Sequence, residues 1–165
     1  MLRTSTRLFL LIAALVLASC QEPKPPDAPL QTDVSIEQVY QEAREAYRLQ
    51  QYDEAAQKFA RVAQSDPKHF NALVNWGVAL SRGGKPLEAI PKFQQALALD
   101  PSNLNRAEVY CNWGAALQRL RKHREAVEKL QQAIALKPAL LTPTMQHYLQ
   151  RHGSLLPDTP PLAPR

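Results

Sequence analysis

Residues 75–80, Asn-Trp-Gly-Val-Ala-Leu, return 37 positions later as residues 112–117, Asn-Trp-Gly-Ala-Ala-Leu. The same offset maps residues 92–101, KFQQALALDP, onto residues 129–138, KLQQAIALKP. Two matching segments at one offset indicate that a structural unit of this length occurs at least twice in the chain. A period between 30 and 40 residues is typical of proteins built from stacked two-element repeats, as an order-of-magnitude guide.

A weaker copy of the same pattern precedes these two. At an offset of 34 residues, Ala55 and Phe59 stand where Ala89 and Phe93 stand in the next copy, and each of these copies ends in Asp-Pro. Large and small apolar residues at i, i+3 and i+4 spacing favour amphipathic helices that approach each other closely. A proline at the end of each copy stops the second helix, because it removes an amide donor and restricts the residue before it.

These residues resemble the tetratricopeptide repeat, which consists of a helix A and a helix B. The register gives repeats at 36–69, 70–103 and 107–140, with residues 104–106 inserted before the third. The helix B pattern matches at Ala55, Ala89 and Ala126, at Phe59, Phe93 and Leu130, and at Pro67, Pro101 and Pro138. In helix A, Gly77 and Gly114 hold the glycine position, which Ala43 fills in the first repeat. The resemblance implies an all-α, right-handed superhelical solenoid of three helix-turn-helix hairpins over residues 36–140.

Local signals predict how these helices begin, turn and end. Residues 35–38, Ser-Ile-Glu-Gln, predict a capping box at the start of the solenoid, and Gly83 and Gly84 predict a turn between the helices of the second repeat. Residues 141–152 are predicted to form a capping helix that covers the last helix B with Met145, Tyr148 and Leu149. Residues 153–165 are predicted to be a disordered proline-rich tail, either a solubilising end or a further partner motif.

The N-terminal 19 residues have the form of a signal peptide. Arg3 and Arg7 precede an apolar run of 11 residues, from 8 to 18, which is too short for a bilayer that needs about 20 residues. The run ends in Leu-Ala-Ser-Cys, which resembles the lipobox of bacterial lipoproteins and implies a lipid on Cys20. The alternative is an ordinary signal peptide that leaves Cys20 as an unmodified thiol.

Residues 20–35 are predicted to be the lipidated cysteine and an extended tether with four prolines. Such a tether reaches about 30–40 Å from the bilayer surface. Gln21 follows the cysteine where, by resemblance to enteric lipoprotein sorting, an aspartate would retain the protein in the inner membrane. The expected location is therefore the periplasmic face of the bacterial outer membrane, and the inner membrane is the alternative.

Composition argues against several classes of function. Without Arg3 and Arg7 the formal charge falls from +5 to +3, which is too mild a bias for a nucleic-acid partner. The four histidines do not pair at i, i+4 spacing, neither cysteine lies in a CxxC motif, and no GxSxG or phosphate-binding glycine loop is present. We therefore predict no metal, no cofactor, no small-molecule substrate and no catalytic activity. A lipid on Cys20 would leave Cys111 without a partner, so no internal disulfide is predicted.

The resemblance implies that the side chains of helix A line a concave groove for a partner. Two positions early in helix A supply Tyr40 and Arg44, then Val74 and Val78, then Cys111 and Ala115. Near the end of helix A, one repeat position holds Arg48, Arg82 and Arg119. These arginines are predicted either to bind carboxylates of an acidic segment or chain terminus, or to complement helix dipoles, worth about 0.3–1 kcal/mol each.

Asn75 and Asn112 occupy the position of a terminal-carboxylate clamp in chaperone-binding relatives. Tyr40 and Glu108 stand where that clamp would need cations, so we do not expect it, and the two asparagines are expected to bond neighbouring backbone.

Together these features predict a non-catalytic protein-binding scaffold on the bacterial envelope. Its partner would be a peptide or helix of another envelope protein, held in the groove. By the family resemblance its setting would be pilus, secretin or other envelope assembly. A structural, self-associating protein and an adaptor for cell-wall enzymes are the alternatives.

Overall fold

A computed structural model of the chain describes residues 35–99 and 102–153. This part is helical and contains no strand. Its helices are α1 (Ile36–Arg48), α2 (Tyr52–Ser65), α3 (Phe70–Arg82), α4 (Pro86–Ala98), α5 (Asn103–Arg119), α6 (His123–Leu136), a 3₁₀ turn (Pro138–Leu140) and α7 (Pro143–His152). The predicted signal peptide, Cys20, the tether up to residue 34 and the tail from residue 154 lie outside the described residues.

The helices pair as the sequence predicts. α1 packs on α2, α3 on α4 and α5 on α6, and successive pairs stack through α2 on α3 and α4 on α5. Each helix therefore packs mainly on its neighbours along the chain, while α3 and α5 also touch across the stack. The predicted all-α solenoid of three helical hairpins is confirmed.

Small residues let the two helices of a hairpin approach closely. A Cβ atom added to Gly77 would lie 2.6 Å from Cε1 of Phe93, and one added to Gly114 would lie 2.7 Å from Cδ2 of Leu130. Phe93 is fully buried, and Leu130 is almost so. An alanine at either position would therefore place its methyl group in space that a core side chain already fills.

Side chains cap the start of several helices. The hydroxyl of Ser35 accepts a hydrogen bond from the backbone N–H of Gln38 at 3.1 Å, as the predicted capping box requires. The Gln38 side chain, however, donates forward to Glu42 at 3.3 Å and does not turn back to the start of the helix. Of the two hydrogen bonds of a capping box, the one accepted by Ser35 is therefore the one that forms. Thr142 caps α7 through the N–H of Met145 at 3.2 Å.

The A helices α1, α3 and α5 end in the same turn. In each, the second residue after the C-cap donates to a carbonyl five residues back, with N–O distances of 2.9, 2.9 and 3.0 Å, as in a Schellman motif. The residue before that donor takes a left-handed conformation, with φ of 84° at Gly84, 61° at Gln50 and 58° at Arg121. The predicted Gly83–Gly84 turn is confirmed, and the other two turns reach the same geometry with residues other than glycine.

Two features of the helices depart from the regular repeat. Residues 104–106, the predicted insertion, are helical and lengthen α5 to 17 residues, against 13 in α1 and α3. Ser102 caps this added turn. In α4, Pro91 lies inside the helix and cannot donate a backbone hydrogen bond.

The last hairpin is covered by α7, as predicted. Leu149 is buried with Val127 and Leu130, and Met145 and Tyr148 pack against this cluster. Beside it, Nδ1 of His123 lies 3.0 Å from the Tyr148 hydroxyl. The rings of His123 and His152 stack with centroids 4.3 Å apart. None of the described helices is both long and apolar enough to span a bilayer.

Candidate functional site

Two adjoining cavities run along the A helices, and we call them together the A-helix groove. The larger, about 580 Å³, is lined by Gln41, Arg44, Glu45, Tyr47, Arg48, Phe59, Asn75, Val78 and Asn112. The smaller, about 70 Å³, is lined by Val78, Ser81, Arg82, Asn112, Ala115 and Arg119. Val78 and Asn112 belong to both cavities. The groove therefore continues across all three repeats.

Six of the nine residues predicted for the groove line it: Arg44, Arg48, Val78, Arg82, Ala115 and Arg119. The other three, Tyr40, Val74 and Cys111, share one repeat position and line neither cavity. Each stands one residue before a groove residue, Gln41, Asn75 or Asn112. One residue turns an α-helix by about 100°, so this step moves a side chain from the groove towards the packed side of the helix.

At this helix position the side chains make structural contacts on the packed side of helix A. The Tyr40 hydroxyl accepts a hydrogen bond from Nδ2 of Asn75 at 3.0 Å, and its ring contacts Phe59 edge-on at 5.6 Å. Val74 is buried in the main core. Asn75 thus bonds a side chain of the preceding repeat and not the neighbouring backbone that we expected, which ties the first two A helices together.

Cys111 is half-buried at the corresponding place in the third repeat. Burial raises the pKa of its thiol, and the negative charge of Glu108 raises it further. A thiol with a raised pKa stays protonated near neutral pH and is a poor nucleophile. The geometry therefore favours a packing role for Cys111.

The arginines at the first-repeat end of the groove already have partners. Nε and Nη2 of Arg48 donate to the two carboxylate oxygens of Glu45 at 2.9 and 2.7 Å. Nη1 of Arg44 donates to Oε1 of Gln41 at 3.1 Å. Glu45 therefore offsets the charge of Arg48, whereas the neutral Gln41 amide leaves the charge of Arg44 in place. This end of the groove presents the Arg44 guanidinium, amide groups and the ring of Tyr47, while the Phe59 ring behind it is buried.

At the other end, Arg82 and Arg119 are exposed last residues of α3 and α5. Within residues 35–99 and 102–153 their side chains make no hydrogen bond, ion pair or ring contact. A cation at a helix C-terminus is stabilised by about 0.3–1 kcal/mol, which accounts for arginine at this repeat position. Their guanidinium groups nevertheless remain available to a ligand.

A repeated contact outside the groove joins helix A to helix B. Nζ of Lys92 lies 3.8 Å from the ring centroid of Trp76, and Nζ of Lys129 lies 4.4 Å from that of Trp113. In the first repeat Glu42 replaces the tryptophan, and Lys58 forms an ion pair with it at 2.7 Å. The lysine is kept while its partner changes from an aromatic face to a carboxylate.

The groove offers hydrogen bonds, ion pairs and apolar contact. In the described part of the chain no three His, Cys, Asp or Glu side chains come together as metal ligands. The only acidic side chain along the groove, Glu45, is exposed and bound to Arg48. Such a surface suits recognition of a polypeptide, in which many weak contacts add along an extended segment.

Comparison with known proteins finds matches to family profiles and to solved structures. Two family profiles, both of the tetratricopeptide repeat, match residues 40–103 and 107–140. No curated protein sequence matches the chain.

Several solved structures are similar to this chain. The first TPR of Spaghetti (RPAP3) bound to the HSP90 peptide SRMEEVD has a TM-score of 0.64 and 22% identity, and the match covers 74% of this chain and 94% of that one. The MamA fragment 41-end from Desulfovibrio magneticus RS-1 has a TM-score of 0.63 and 23% identity, with coverage of 74% and 70%. The Arabidopsis OM64 TPR domain has a TM-score of 0.64 and 17% identity, with coverage of 73% and 96%. At identities this low the likeness concerns the fold.

Proposed function

The chain belongs to the tetratricopeptide-repeat family, and we propose that it is a non-catalytic scaffold that binds a peptide or helix of another protein in the A-helix groove. We further propose that a lipid on Cys20 anchors it in the bacterial envelope, at the periplasmic face of the outer membrane. There it would serve an assembly such as a pilus or secretin.

The groove is the observation that carries the proposal. It runs across three repeats, and its larger cavity of about 580 Å³ has the size of a site for several side chains. Its lining combines rings and valine with amides and arginines, the mixture that holds an extended polypeptide by side chains and backbone. The similar fold of Spaghetti (RPAP3) was solved with a bound peptide, which supports the same use of the scaffold here.

The groove proposal is tested by crosslinking in cells with a groove-filling variant. Gln41→Trp combined with Ala115→Trp places two rings in the groove at exposed positions, so the core keeps its packing. We expect the native chain to crosslink to a specific envelope protein, identified by mass spectrometry, and the variant to lose that protein.

The matched control is Gln57→Trp combined with Gln94→Trp, which adds the same bulk at exposed positions on α2 and α4, outside the groove lining. Both double variants should keep the native circular dichroism spectrum. Loss of the partner from both variants, or retention by both, would place the interaction outside the groove.

The anchor proposal rests on Cys20 at the end of the apolar run of residues 8–18. The chain has two cysteines, so Cys111 provides the control. We expect metabolic labelling with a fatty acid to mark the native chain and Cys111→Ala, while Cys20→Ala is unlabelled and leaves the membrane fraction. Equal labelling of Cys20→Ala would exclude this cysteine as the lipid attachment site.

A further inference from the structure

Positive charge increases from the first repeat to the third along the turns that join helix A to helix B. Three equivalent stretches of seven residues contain these turns, at 48–54, 82–88 and 119–125. The first stretch holds one cation and two acidic residues, the second two cations and one acidic residue, and the third four cations and one acidic residue. Their formal charges are therefore −1, +1 and +3 with histidine neutral. The positive charge belongs to the third turn and not to the repeat pattern.

The end of α7 adds a further cation to the third turn. The ring of His152 stacks on that of His123 with centroids 4.3 Å apart, so the end of α7 lies against the start of α6. Arg151 precedes His152 and is exposed. We call residues 119–125 and 151–152 the basic corner; with five cations and one acidic residue, its formal charge is +4. The whole chain has a formal charge of +5, so the charges outside the basic corner nearly cancel.

Part of the charge of the basic corner is not offset by ion pairs. Lys122 and Arg124 each form an ion pair with an acidic residue of α6, at 3.0 and 3.7 Å. The side chains of Arg121 and Arg151 are exposed and have no carboxylate partner among the described residues. Both arginines lie outside the lining of the A-helix groove. Their charges are therefore open to solvent whatever the groove binds.

Arg121 occupies a turn position that does not require a cation. Its φ of 58° is left-handed, as are those of Gln50 and Gly84 at the equivalent positions. The same turn thus forms with an amide side chain or with none. A charged side chain kept in a strained conformation favours a use for the charge itself.

We propose that the basic corner is a docking surface for an anionic membrane, where its arginines bind the phosphate groups of acidic lipids. This inference rests on the proposed function, since the lipid on Cys20 brings the solenoid to a bilayer. A negatively charged lipid surface attracts each Lys or Arg that lies within about 10 Å of it at 0.1 M salt. The basic corner contains no Phe, Tyr or Trp on which bases could stack, so a lipid surface fits it better than a single-stranded nucleic acid.

The lipid and the basic corner give the chain two points of attachment to the bilayer. The described helices begin at Ile36, after the predicted tether, and the basic corner belongs to the third repeat and α7. Contact through a few arginines is weak alone, but the tether keeps the corner at a high effective concentration near the lipid surface. The solenoid then lies along the bilayer and holds the A-helix groove in a fixed orientation.

The test compares two kinds of vesicle, each mixed with the native chain purified from cells. One kind contains phosphatidylcholine, and the other also contains the anionic lipid phosphatidylglycerol. Both carry the same trace of a phosphatidylethanolamine with a photoreactive headgroup, and mass spectrometry maps the crosslinked residues. We expect the chain to float with both kinds, and residues 119–125 and 151–152 to crosslink in the anionic vesicles alone. Raised salt should abolish these crosslinks, because it screens the charges.

The decisive variant is Arg121→Glu combined with Arg151→Glu, which reverses two exposed charges outside the groove lining. Its crosslinks to the anionic vesicles at the basic corner should fall on the order of tenfold. The matched control is Arg61→Glu combined with Lys68→Glu, which reverses two exposed charges of the first repeat and should keep the crosslinks. Native helicity of both variants by circular dichroism rules out unfolding as the cause.

Flotation reports the lipid anchor and crosslinking reports the basic corner, so the two proposals can fail separately. If the chain floats with both kinds of vesicle but crosslinks alike in both, or if the two variants crosslink alike, the anchor stands and docking through the basic corner is excluded. If it floats with the anionic vesicles alone and crosslinks at the corner, the corner stands without the anchor. If it floats with neither kind, both proposals fail.

Discussion

The absence of one methyl group at Gly77 allows helices α3 and α4 to pack at their present distance. We expect Gly77→Ala to destabilise the protein, because overpacking against buried Phe93 costs about 1–3 kcal/mol. Better helix propensity offsets about 1 kcal/mol of this. Chemical denaturation measures the difference.

Gly153 is the matched control for this substitution, since a Cβ added there meets no atom within 4 Å. Gly153→Ala should leave the free energy of unfolding unchanged or slightly raised. The first repeat holds Ala43 at the position of Gly77, so a change of stability and not a loss of fold is expected. Equal stability of the native chain and Gly77→Ala would show that α4 can shift at no cost.

Gln50 and Arg121 take the left-handed conformation that Gly84 takes in the second repeat. A side chain there costs about 1–2 kcal/mol of backbone strain, and glycine loses about 0.5–1 kcal/mol through the entropy of the unfolded chain. Gln50→Gly and Arg121→Gly should therefore each stabilise the protein by about 0.5–1 kcal/mol. Thermal and denaturant unfolding would measure the gain.

Gln51→Gly is the control for these turns, because Gln51 has a φ of −80° and gains nothing from glycine. It should lower stability, and Gly84→Ala should lower it by about 1 kcal/mol. A loss of stability on Gln50→Gly as large as that on Gln51→Gly would mean that this turn carries no strain.

The sequence predicts some of these turns and side-chain positions, and the others escape prediction for a physical reason. Gly83–Gly84 marks one turn plainly, but Gln50 and Arg121 give no local signal, since the fold imposes their conformation. Arg48, Arg82 and Arg119 look equivalent in the repeat pattern. The residue three positions before each one separates them. Glu45 forms an ion pair with Arg48, whereas Ala79 and Ala116 precede Arg82 and Arg119 and offer no charge.

Among the helices, α4 is the one that carries a proline in its interior. Pro91 is exposed, and the corresponding positions in the other repeats hold Gln57 and Glu128. Pro91→Glu should stabilise the protein by about 1–3 kcal/mol, because it restores a backbone hydrogen bond and removes the clash of the ring with the preceding turn. The change is measured by denaturant unfolding.

Pro86 provides the control within the same helix. It is the first residue of α4, where a proline costs no hydrogen bond, so Pro86→Ala should give no comparable gain. If Pro91→Glu were as stable as the native chain, α4 would already have adapted its backbone to the ring.

The helices also show how far a repeat pattern predicts a groove. The pattern identifies helix A as the lining element, and six of nine predicted residues lie along the cavities. At the early position in helix A, the groove is lined one residue later than predicted. The lining residues are those that follow Tyr40, Val74 and Cys111. Apolar character alone does not settle this helical phase, because an apolar side chain is suited both to a groove floor and to the core.

For the molecule as a whole, the docking of α7 should depend on pH. Partial burial lowers the pKa of His152 on α7, and the charges of His123 on α6 and Arg151 on α7 lower it further. The unfolded chain then binds more protons near the ordinary histidine pKa of 6.5 than the folded chain does. Stability should therefore fall as the pH decreases through about 6.5, and it should be highest above that value.

Unfolding at several pH values tests this expectation. His152→Gln should reduce the loss of stability at low pH, whereas His147→Gln, on the same helix and exposed, should keep it. Tyr148 and His123, 3.0 Å apart, remain in both variants. An identical pH profile for the native chain and His152→Gln would exclude the stacked histidines as the titrating contact.

The packing of each helix mainly on its chain neighbours has a further consequence. A solenoid of this kind frays from its ends, because one repeat can open without breaking the contacts of a distant one. Amide hydrogen exchange is then slowest in the middle repeat and fastest at the termini. A ligand that lies along the groove from α1 to α5 touches all three repeats at once, so it joins them into a single cooperative unit. In the proposed complex, binding of the partner and suppression of fraying are therefore the same thermodynamic event.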